Sequence, residues 1–212
     1  MNKGAQLQTR ESFLYGRFET MMRPAYGSGI VSSFFMFYDG LDFKKNWNEI
    51  DFEFLGRHTN SLDTNVIRSS NGYADPGINV RHQTLNKRSS DNYWKLCIEW
   101  TPNEVIWKVD DVIIRTMVVQ LKNRQKLMMN IWLGNPAWAG EFNEGLIPAK
   151  AEYLYVRYSA FEKGKFVFKW QDEFNALDNK RWYAANQSLY NTMLIEENVV
   201  FQDSKLYLNL TK

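Results

Sequence analysis

Several features that would point to a familiar class of protein are scarce in this sequence. The 212 residues include one cysteine, Cys97, and two histidines, which excludes an intramolecular disulfide and leaves no cluster of zinc ligands. Cys97 lies within the apolar run YWKLCIEW, so we expect a buried and inert thiol. No apolar run approaches the roughly 20 residues that a membrane-spanning helix needs, and we expect no contact with a membrane.

An excess of charge of either sign is also lacking. The 26 basic and 24 acidic residues are spread along the chain and give a net charge of +2, which argues against a surface that binds nucleic acid. The opening residues, MNKGAQLQTR, lack the hydrophobic segment of a signal peptide. We therefore expect either an extracellular protein whose signal has been removed, which is the preferred interpretation, or a cytoplasmic protein.

The sequence is rich in β-strand signals and nearly without the period of a long helix. Aromatic residues make up 16% of it, including eight tryptophans, and many fall in short alternating or apolar runs separated by turns. Turns are predicted at 110–111 and 202–204, and at most one short helical turn at 118–125. About a dozen strands without intervening helices predict a single all-β domain, residues 1–212, folded as an antiparallel β-sandwich of jelly-roll type. The predicted strands lie in residues 15–24, 29–40, 49–56, 64–70, 93–102, 104–117, 126–134, 151–161, 165–174 and 198–212.

The most informative segment is NEIDFEFLGRH, residues 48–58. Glu49, Asp51 and Glu53 alternate with apolar residues, so on a β-strand the three carboxylates would share one face. Like charges placed so closely repel each other, and a strand that served only folding would avoid them. The pattern points to chemistry that uses more than one acid, and the alternative is a solvated strand face that happens to be acidic.

A pair of carboxyl groups can hydrolyse a glycosidic bond, one as nucleophile or base and the other as the acid that protonates the leaving oxygen. A retaining enzyme needs the two groups about 5–5.5 Å apart. On an ideal strand the Cα atoms of Glu49 and Glu53 would be roughly 13 Å apart, and two glutamate side chains that lean together close much of that gap. Asp51 lies between them and could share a proton, which would help to keep Glu49 anionic and Glu53 protonated.

The segment NEIDFEFLG resembles the active-site signature E-[IL]-D-x-E of glycoside hydrolase family 16. This family has a β-jelly-roll fold and contains licheninases (endo-1,3-1,4-β-glucanases), laminarinases, xyloglucan-active enzymes, agarases and carrageenases. Each further matching stretch is a weak signal alone, whereas the joint match is specific and covers most of the chain. These stretches are YGRFET, SGIVSSFF, IEWTPNEVIWKVDD, MMNIWLG, PAWAGEF and AEYLYVRY.

The order of the matching stretches differs from that of most family members. A segment like WQDEFNALDNKRW usually opens the family's domain, whereas here it lies within residues 169–182, after AEYLYVRY. The sequence therefore resembles a circularly permuted licheninase type, with the usual termini joined through SAFEKGK, residues 159–165. Such a permutation is physically tolerable because the termini of a domain often lie close together on its surface.

The resemblance implies a role for each residue of the acid motif and a set of sugar-binding positions. Glu49 would be the nucleophile, Glu53 the general acid/base, and Asp51 the residue that tunes both. The implied sugar contacts are aromatic rings and amides, which suit the apolar C–H faces and hydroxyl rims of a glucan. They are Phe35, Trp47, Asn65, Asn130, Trp132 and Trp138. For each tryptophan the alternative is a structural role in the core.

Some positions depart from the family pattern. No residue is inserted between Asp51 and Glu53, where laminarinase-type members carry an extra residue and a β-bulge, so the licheninase and xyloglucan branch is favoured. Gln187 stands about where permuted licheninases place a tryptophan, and Asp63 stands where licheninases have a glutamine. Both changes affect the expected sugar contacts and leave the exact glucan open.

The two histidines and one arginine near the acid motif have no clear assignment from sequence. Arg57 and His58 directly follow the motif and could be acid–base partners, but a place in the loop beyond the strand is the preferred interpretation. His82, in NVRHQT, is equally ambiguous.

The sequence as a whole predicts a monomeric retaining endo-β-glucanase whose partner is mixed-linkage 1,3-1,4-β-glucan. An alternative within the family is a hydrolase or transglycosylase that acts on xyloglucan or 1,3-β-glucan. An alternative from another class is a non-catalytic jelly-roll protein that binds β-glucan, although a binding protein has no reason to keep a repulsive acid row. The reaction requires no cofactor. The resemblance allows a structural Ca²⁺ ion on the face away from the cleft, yet no segment matches a dedicated calcium loop.

Overall fold

The computed structural model describes residues 1–69 and 73–212, and these residues form two stacked β-sheets. The predicted antiparallel β-sandwich is confirmed. The strands are β1 (Asn2–Thr9), β2 (Gly16–Arg23), β3 (Ile30–Phe37), β4 (Asn48–Leu55), β5 (Ser61–Arg68), β6 (Arg81–Thr84), β7 (Trp94–Trp100), β8 (Glu104–Val109), β9 (Val112–Val118), β10 (Lys126–Leu133), β11 (Ala149–Glu162), β12 (Lys165–Asp172), β13 (Trp182–Ala184), β14 (Gln187–Leu189), β15 (Thr192–Leu194), β16 (Val199–Gln202) and β17 (Lys205–Leu210). The one-turn helices are α1 (Phe43–Asn46) and α2 (Pro136–Ala139), and 3₁₀ turns occupy Glu144–Leu146 and Glu196–Asn198. None of the described helices is long and apolar enough to cross a membrane.

The first sheet contains the acid motif on strand β4. Its strand order is β14-β15-β1-β10-β3-β4-β5-β6, with β13 also paired to β1, and the pairing of β1 with β15 is parallel. In β4, Ile50, Phe52 and Phe54 are buried in the core between the sheets. Because side chains alternate along a strand, the three acids of β4 share the opposite, outer face of this sheet.

The second sheet has the order β16-β17-β11-β2-β7-β8-β9, and β12 pairs with β11. Its strands bury large side chains against the first sheet, including Trp100 and Trp107, which are fully buried. Two of its polar aromatic groups reach across the core to the backbone of the first sheet. The Nε1 of Trp107 donates to the backbone carbonyl oxygen of Asp51 at 3.0 Å. The hydroxyl of Tyr153 donates to the backbone carbonyl oxygen of Ser33 at 2.8 Å. The second sheet thus fixes the backbones of β4 and β3.

Most local predictions agree with the fold. The predicted tight turns are confirmed, with positive φ at Asp110, Asp111, Asp203 and Ser204. Cys97 is buried as predicted, and burial raises the pKa of its thiol to about 12. The strand predicted at 64–70 is observed as β5, and residue 70 itself lies outside the described residues.

Two local predictions fail. The helical turn predicted at 118–125 is wrong, because this segment is extended and irregular and joins β9 to β10. The chain start, for which no strand was predicted, forms β1 in the interior of the first sheet. Residues 159–165, through which the resemblance joins the usual termini, lie in a hairpin in which β11 and β12 meet at a two-residue turn of Lys163 and Gly164, both with positive φ.

Candidate active site

The outer face of the first sheet holds a cavity of about 660 Å³ along the acid strand. Glu49 and Glu53 line this cavity, and Asp51, which is 2% exposed, is buried between them. The floor comes from β1, β3, β4 and β10, and β14 closes one side. The lining residues are Gln6, Gln8, Ser33, Phe35, Phe37, Asp39, Trp47, Glu49, Glu53, Met128, Asn130, Trp132, Gln187 and Leu189.

Strand register determines the neighbours of each acid. Glu53 lies between Ser33 on β3 and Asp63 on β5, whereas Glu49 lies between Phe37 and Ile67. Directly opposed residues on antiparallel strands have Cβ atoms about 4.5–5.5 Å apart, so these side chains contact one another. Glu53 therefore meets a further carboxylate across the strand, and Glu49 meets apolar groups.

Glu49 receives two hydrogen bonds that favour its charged form. Trp47 precedes β4, and its backbone is held by Ser69, whose hydroxyl accepts from the Trp47 N–H at 2.9 Å. This places the indole Nε1 of Trp47 to donate to Oε2 of Glu49. Burial raises the pKa of Glu49 to about 7, while the hydrogen bonds from Trp47 and from Asp51 oppose that rise.

Glu53 is held more firmly in its neutral form. Burial raises the pKa of this carboxyl to about 8, and the negative charges of Glu49 and Asp63 add to the rise. Within the part of the chain that the structure describes, neither Glu49 nor Glu53 forms an ion pair with a basic side chain. The repulsion between neighbouring acids therefore goes largely uncompensated at Glu53.

The pKa of the third acid, Asp51, is also strongly raised. Burial, followed by the charges of Glu49 and Glu53, raises its pKa well above the ordinary range. Its carboxyl is hydrogen-bonded to that of Glu49, which requires a shared proton that Asp51 supplies. Its Oδ1 has no hydrogen-bond partner among the described residues. A protonated Asp51 stabilises the carboxylate of Glu49.

The two cavity-lining acids therefore differ in what surrounds them. Hydrogen bonds from Trp47 and Asp51 favour the charged form of Glu49, whereas the charges of Glu49 and Asp63 favour the neutral form of Glu53. An ionised carboxylate and a protonated carboxyl on one strand face are the two groups that cleavage of a glycosidic bond needs. The arrangement can supply a nucleophile or base from Glu49 and an acid from Glu53.

Four of the six predicted sugar-binding residues line the cavity, namely Phe35, Trp47, Asn130 and Trp132. The other two lie beside it. Trp138, on α2, packs against Trp132 with ring centroids 6.0 Å apart. Asn65 is opposite Asp51 on β5, and its amide donates to the carbonyl oxygen of Pro76 at 2.9 Å. Their contact with sugar stays a prediction, and neither is among the residues that line the cavity.

Several lining residues were not identified from the sequence. Gln6 and Gln8 belong to β1, and the alternation of these polar residues with the buried Ala5 and Leu7 was the signal for a strand there. Ser33, Phe37, Met128 and Leu189 also line the cavity, and each shares a strand face with a predicted site residue or with Gln187.

The arginine and the two histidines near the acid motif are not among the residues that line the cavity. Arg57 and His58 lie in the loop after β4, as predicted, and Nε of Arg57 donates to Nε2 of His58 at 3.1 Å. His82 lies on β6 and contacts Asp63. Across residues 1–69 and 73–212, no group of three or more His, Cys, Asp or Glu side chains is placed to hold a metal ion, and a structural Ca²⁺ stays a prediction.

Known proteins with similar sequences include several β-glucanases. The chain is 30% identical over 224 aligned positions to a β-glucanase of Fibrobacter succinogenes, a match that covers 99% of this chain and 64% of that protein. It is 34% identical over 158 positions to a β-glucanase of Paenibacillus polymyxa, covering 73% of this chain and 63% of that protein. The chain thus spans slightly less than two thirds of the length of both relatives.

Solved structures give the same result for the fold. A Bacillus licheniformis β-glucanase superposes with a TM-score of 0.62 at 35% identity, covering 70% of this chain and 68% of that one. A β-1,3-1,4-glucanase (lichenase) derived from a mouse hindgut metagenome gives 0.63 at 28% identity, covering 73% and 78%. A sequence model of Glycosyl hydrolases family 16 matches residues 1–171. The chain therefore belongs to glycosyl hydrolase family 16 and has the jelly-roll sandwich of that family.

Proposed function

We propose that this protein is a retaining endo-β-glucanase that hydrolyses mixed-linkage 1,3-1,4-β-glucan. The proposal rests on one observation: Glu49 and Glu53 line a single cavity from one strand face and have pKa values raised to about 7 and about 8. Relatives named β-glucanase and a structural neighbour named β-1,3-1,4-glucanase support the choice of substrate.

The first chemical step uses Glu49 as nucleophile and Glu53 as acid. The carboxylate of Glu49 attacks the anomeric carbon while the bond from that carbon to the leaving glycosidic oxygen breaks. The electron pair of that bond passes to the oxygen, which takes the proton of Glu53. The products are a glycosyl ester on Glu49, an ionised Glu53 and a free sugar chain.

The second step returns both acids to their starting states. Glu53, now a base, takes a proton from water, and the water oxygen attacks the anomeric carbon as the ester bond to Glu49 breaks. Two inversions restore the original configuration at that carbon. Asp51 keeps its proton throughout and donates to Glu49, which stabilises Glu49 as the leaving carboxylate of this step.

The remaining cavity lining would bind the glucan. Trp132 and Phe35 offer flat apolar surfaces for the C–H faces of sugar rings, and Asn130, Gln6 and Gln8 offer amides for their hydroxyl groups. Met128, between these groups, adds an apolar contact. Such a row of alternating apolar and polar groups suits a linear polysaccharide lying across the strands.

The test is release of reducing ends from a panel of polymers: mixed-linkage β-glucan, laminarin, xyloglucan and carboxymethylcellulose. The proposal expects hydrolysis of mixed-linkage glucan by the wild-type protein and none by Glu49→Gln. Glu197→Gln, at an exposed residue in the second 3₁₀ turn, is the matched control and should retain full activity.

Other results of the panel separate the alternatives. Hydrolysis of xyloglucan or laminarin alone would keep the mechanism and overturn the substrate. Binding of glucan without release of reducing ends would contradict the enzymatic proposal and indicate a binding protein.

We also propose that the chain is circularly permuted relative to most of its family. Lys3 and Thr211 form a backbone bridge, with Lys3 N–H donating to Thr211 at 2.8 Å and the reverse bond also 2.8 Å, so the first and last strands meet. Joining the present ends and opening the chain at the Lys163–Gly164 turn should give a folded, active protein. An opened variant that does not fold would count against this order of segments.

A further inference from the structure

The acid/base candidate has a charged neighbour that the proposed mechanism does not use. Asp63 lies directly opposite Glu53 on β5 and is 4% exposed. On its other side, β6 places His82 in register with Asp63, and Nδ1 of His82 lies 2.8 Å from Oδ1 of Asp63. The side chain of Asp63 is nearly closed to solvent, whereas that of His82 is about half exposed. Three neighbouring strands thus place Glu53, Asp63 and His82 in one row.

The charged groups around this row are few. On its own strand Glu53 has Glu49 and Asp51, and the loop after β4 adds His58 and Arg57. The ring of His58 packs edge-on against that of His82, with centroids 5.0 Å apart. On β6, the guanidinium group of Arg81 donates to the backbone carbonyl oxygen of the preceding residue, Val80. On the other side, β3 and β10 contribute the uncharged Ser33 and Asn130 at this level.

We propose that Asp63, held in place by His82, is a positioning residue whose negative charge keeps the proton on Glu53 until the leaving group takes it. The inference rests on the proposed role of Glu53 as the acid of the reaction. His82 would hold the carboxyl of Asp63 in this position through the contact between its Nδ1 and Oδ1 of Asp63.

The buried carboxylate of Asp63 affects how readily the neighbouring Glu53 ionises. A second negative charge within a few ångströms disfavours ionisation of Glu53, and the charge of Asp63 contributes to the raised pKa of that carboxyl. An amide at position 63 would accept the same hydrogen bond from His82, so hydrogen bonding alone does not call for an acid there. The charge of Asp63 is therefore the property with a consequence for the reaction.

The experiment measures the ionisation of Glu53 directly and then its effect on catalysis. Glutamate labelled with ¹³C at Cδ is incorporated, the signal of Glu53 is assigned with Glu53→Gln, and its titration is followed in the wild type, Asp63→Asn and His82→Ala. The alkaline limb of kcat/KM on a soluble β-glucan is recorded for the same proteins, except Glu53→Gln. Asp111→Asn, an exposed turn residue of the second sheet, is the control for the loss of one charge.

Asp63→Asn should lower the titration midpoint of Glu53 and move the alkaline limb to lower pH, each by about half to one pH unit. His82→Ala should move both in the same direction by a smaller step, because Asp63 loses the contact that holds its carboxyl in place. Asp111→Asn should move neither. A uniform loss of kcat at all pH values with an unmoved midpoint in Asp63→Asn would overturn the proposal and leave a structural role.

Three further outcomes are decisive. A shift to higher pH in His82→Ala, or no shift in that variant, would overturn the part assigned to His82. If Asp63→Asn does not fold, as judged by its thermal transition, a shift to lower pH in His82→Ala still supports the coupling. A wild type without hydrolytic activity would remove the proposed function, whereas a lowered Glu53 midpoint in Asp63→Asn would still support the electrostatic coupling.

Discussion

The indole of Trp107 and the backbone of Asp51 are joined by a 3.0 Å hydrogen bond that crosses the core from one sheet to the other. Trp107 belongs to β8 of the second sheet, and Asp51 lies at the centre of the acid strand. The bond fixes the height of β4 above the second sheet, and with it the positions of the acids on either side of Asp51. A core residue that does not line the cavity thereby helps to define the geometry of the cavity.

Loss of this bond should cost both stability and activity. We expect Trp107→Phe to lower the free energy of unfolding by about 1 kcal/mol more than its control, because a buried hydrogen bond is removed. The control is Trp100→Phe, since the Nε1 of Trp100 is buried and has no hydrogen-bond partner among the described residues. Denaturant unfolding and kcat of both variants are the measurements, and equal effects of the two substitutions would contradict the role of the bond.

Trp47 should control the acidic limb of the pH profile. Its hydrogen bond to Glu49 opposes the rise in the pKa of that carboxyl, so Trp47→Phe should raise this pKa and move the acidic limb of kcat/KM to higher pH. The alkaline limb, which reports Glu53, should stay in place. Trp132→Phe is the control, as this ring lines the same cavity from β10. An acidic limb that moves equally in both variants, or not at all in Trp47→Phe, would show that the bond is not responsible.

The buried acids should make the protein less stable as pH rises. The pKa of Glu53 in the folded protein, about 8, lies above its ordinary value of 4.5, so the folded state binds more protons than the unfolded state between these values. The contribution of Glu53 to stability is thus complete below about pH 4.5 and is lost as pH rises through 8. Glu53→Gln should therefore stabilise the protein at pH 8 by more than about 1 kcal/mol and have little effect at pH 4.5.

The measurement is the free energy of unfolding of wild type and Glu53→Gln from pH 4.5 to 9. Glu197→Gln serves as the control for replacement of an exposed glutamate. A wild-type stability that rises across this range, or a substitution effect that does not depend on pH, would be inconsistent with a proton held at Glu53.

Trp132 and Trp138 should behave differently although they pack together. Trp132 lines the cavity, so Trp132→Ala should raise KM for glucan by about tenfold with little change in kcat, as expected for loss of a sugar-stacking surface. Trp138 packs on Trp132 and the small cluster around Ala139, so Trp138→Ala should raise KM clearly less and lower thermal stability instead. Equal rises in KM would indicate that both rings contact the glucan.

The acid face could be predicted from the sequence because its pattern is local. The alternation of Glu49, Asp51 and Glu53 with buried apolar residues has the period of a strand, and one strand suffices to place all three acids on one side. The turns at Asp110–Asp111 and Asp203–Ser204 are similarly local, since each needs only two residues with positive φ between strands.

Features that depend on how distant strands meet could not be predicted. Gln6 and Gln8 enter the cavity only because β1 pairs with β10, more than a hundred residues away in the chain. The amide of Asn65 is engaged by the backbone of Pro76, a loop contact that leaves no mark on the local pattern. The register that aligns Asp63 with both Glu53 and His82 is likewise a property of three strands together.

One short helix was not predicted although its signals were present. The segment that contains Trp138 forms the one-turn helix α2. Asn135 caps this helix by accepting from the N–H of Ala137 at 2.9 Å, Pro136 occupies the first turn, and Gly140 ends it with φ of 87°. The helix places Trp138 against the ring of Trp132.

The central claim, that Glu49 is the nucleophile of a retaining glycosidase, is tested most directly by trapping the covalent intermediate. A 2-deoxy-2-fluoro-β-glycoside of a glucan disaccharide with a good leaving group would be incubated with the protein, followed by tryptic digestion and fragment mass spectrometry. Cleavage after Lys45 and Arg57 gives one peptide, residues 46–57, that contains all three acids. We expect this peptide to carry one added disaccharide, and we expect the fragment ions to place the disaccharide on Glu49. A label on Glu53 or Asp51, or release of an inverted product without any label, would contradict it.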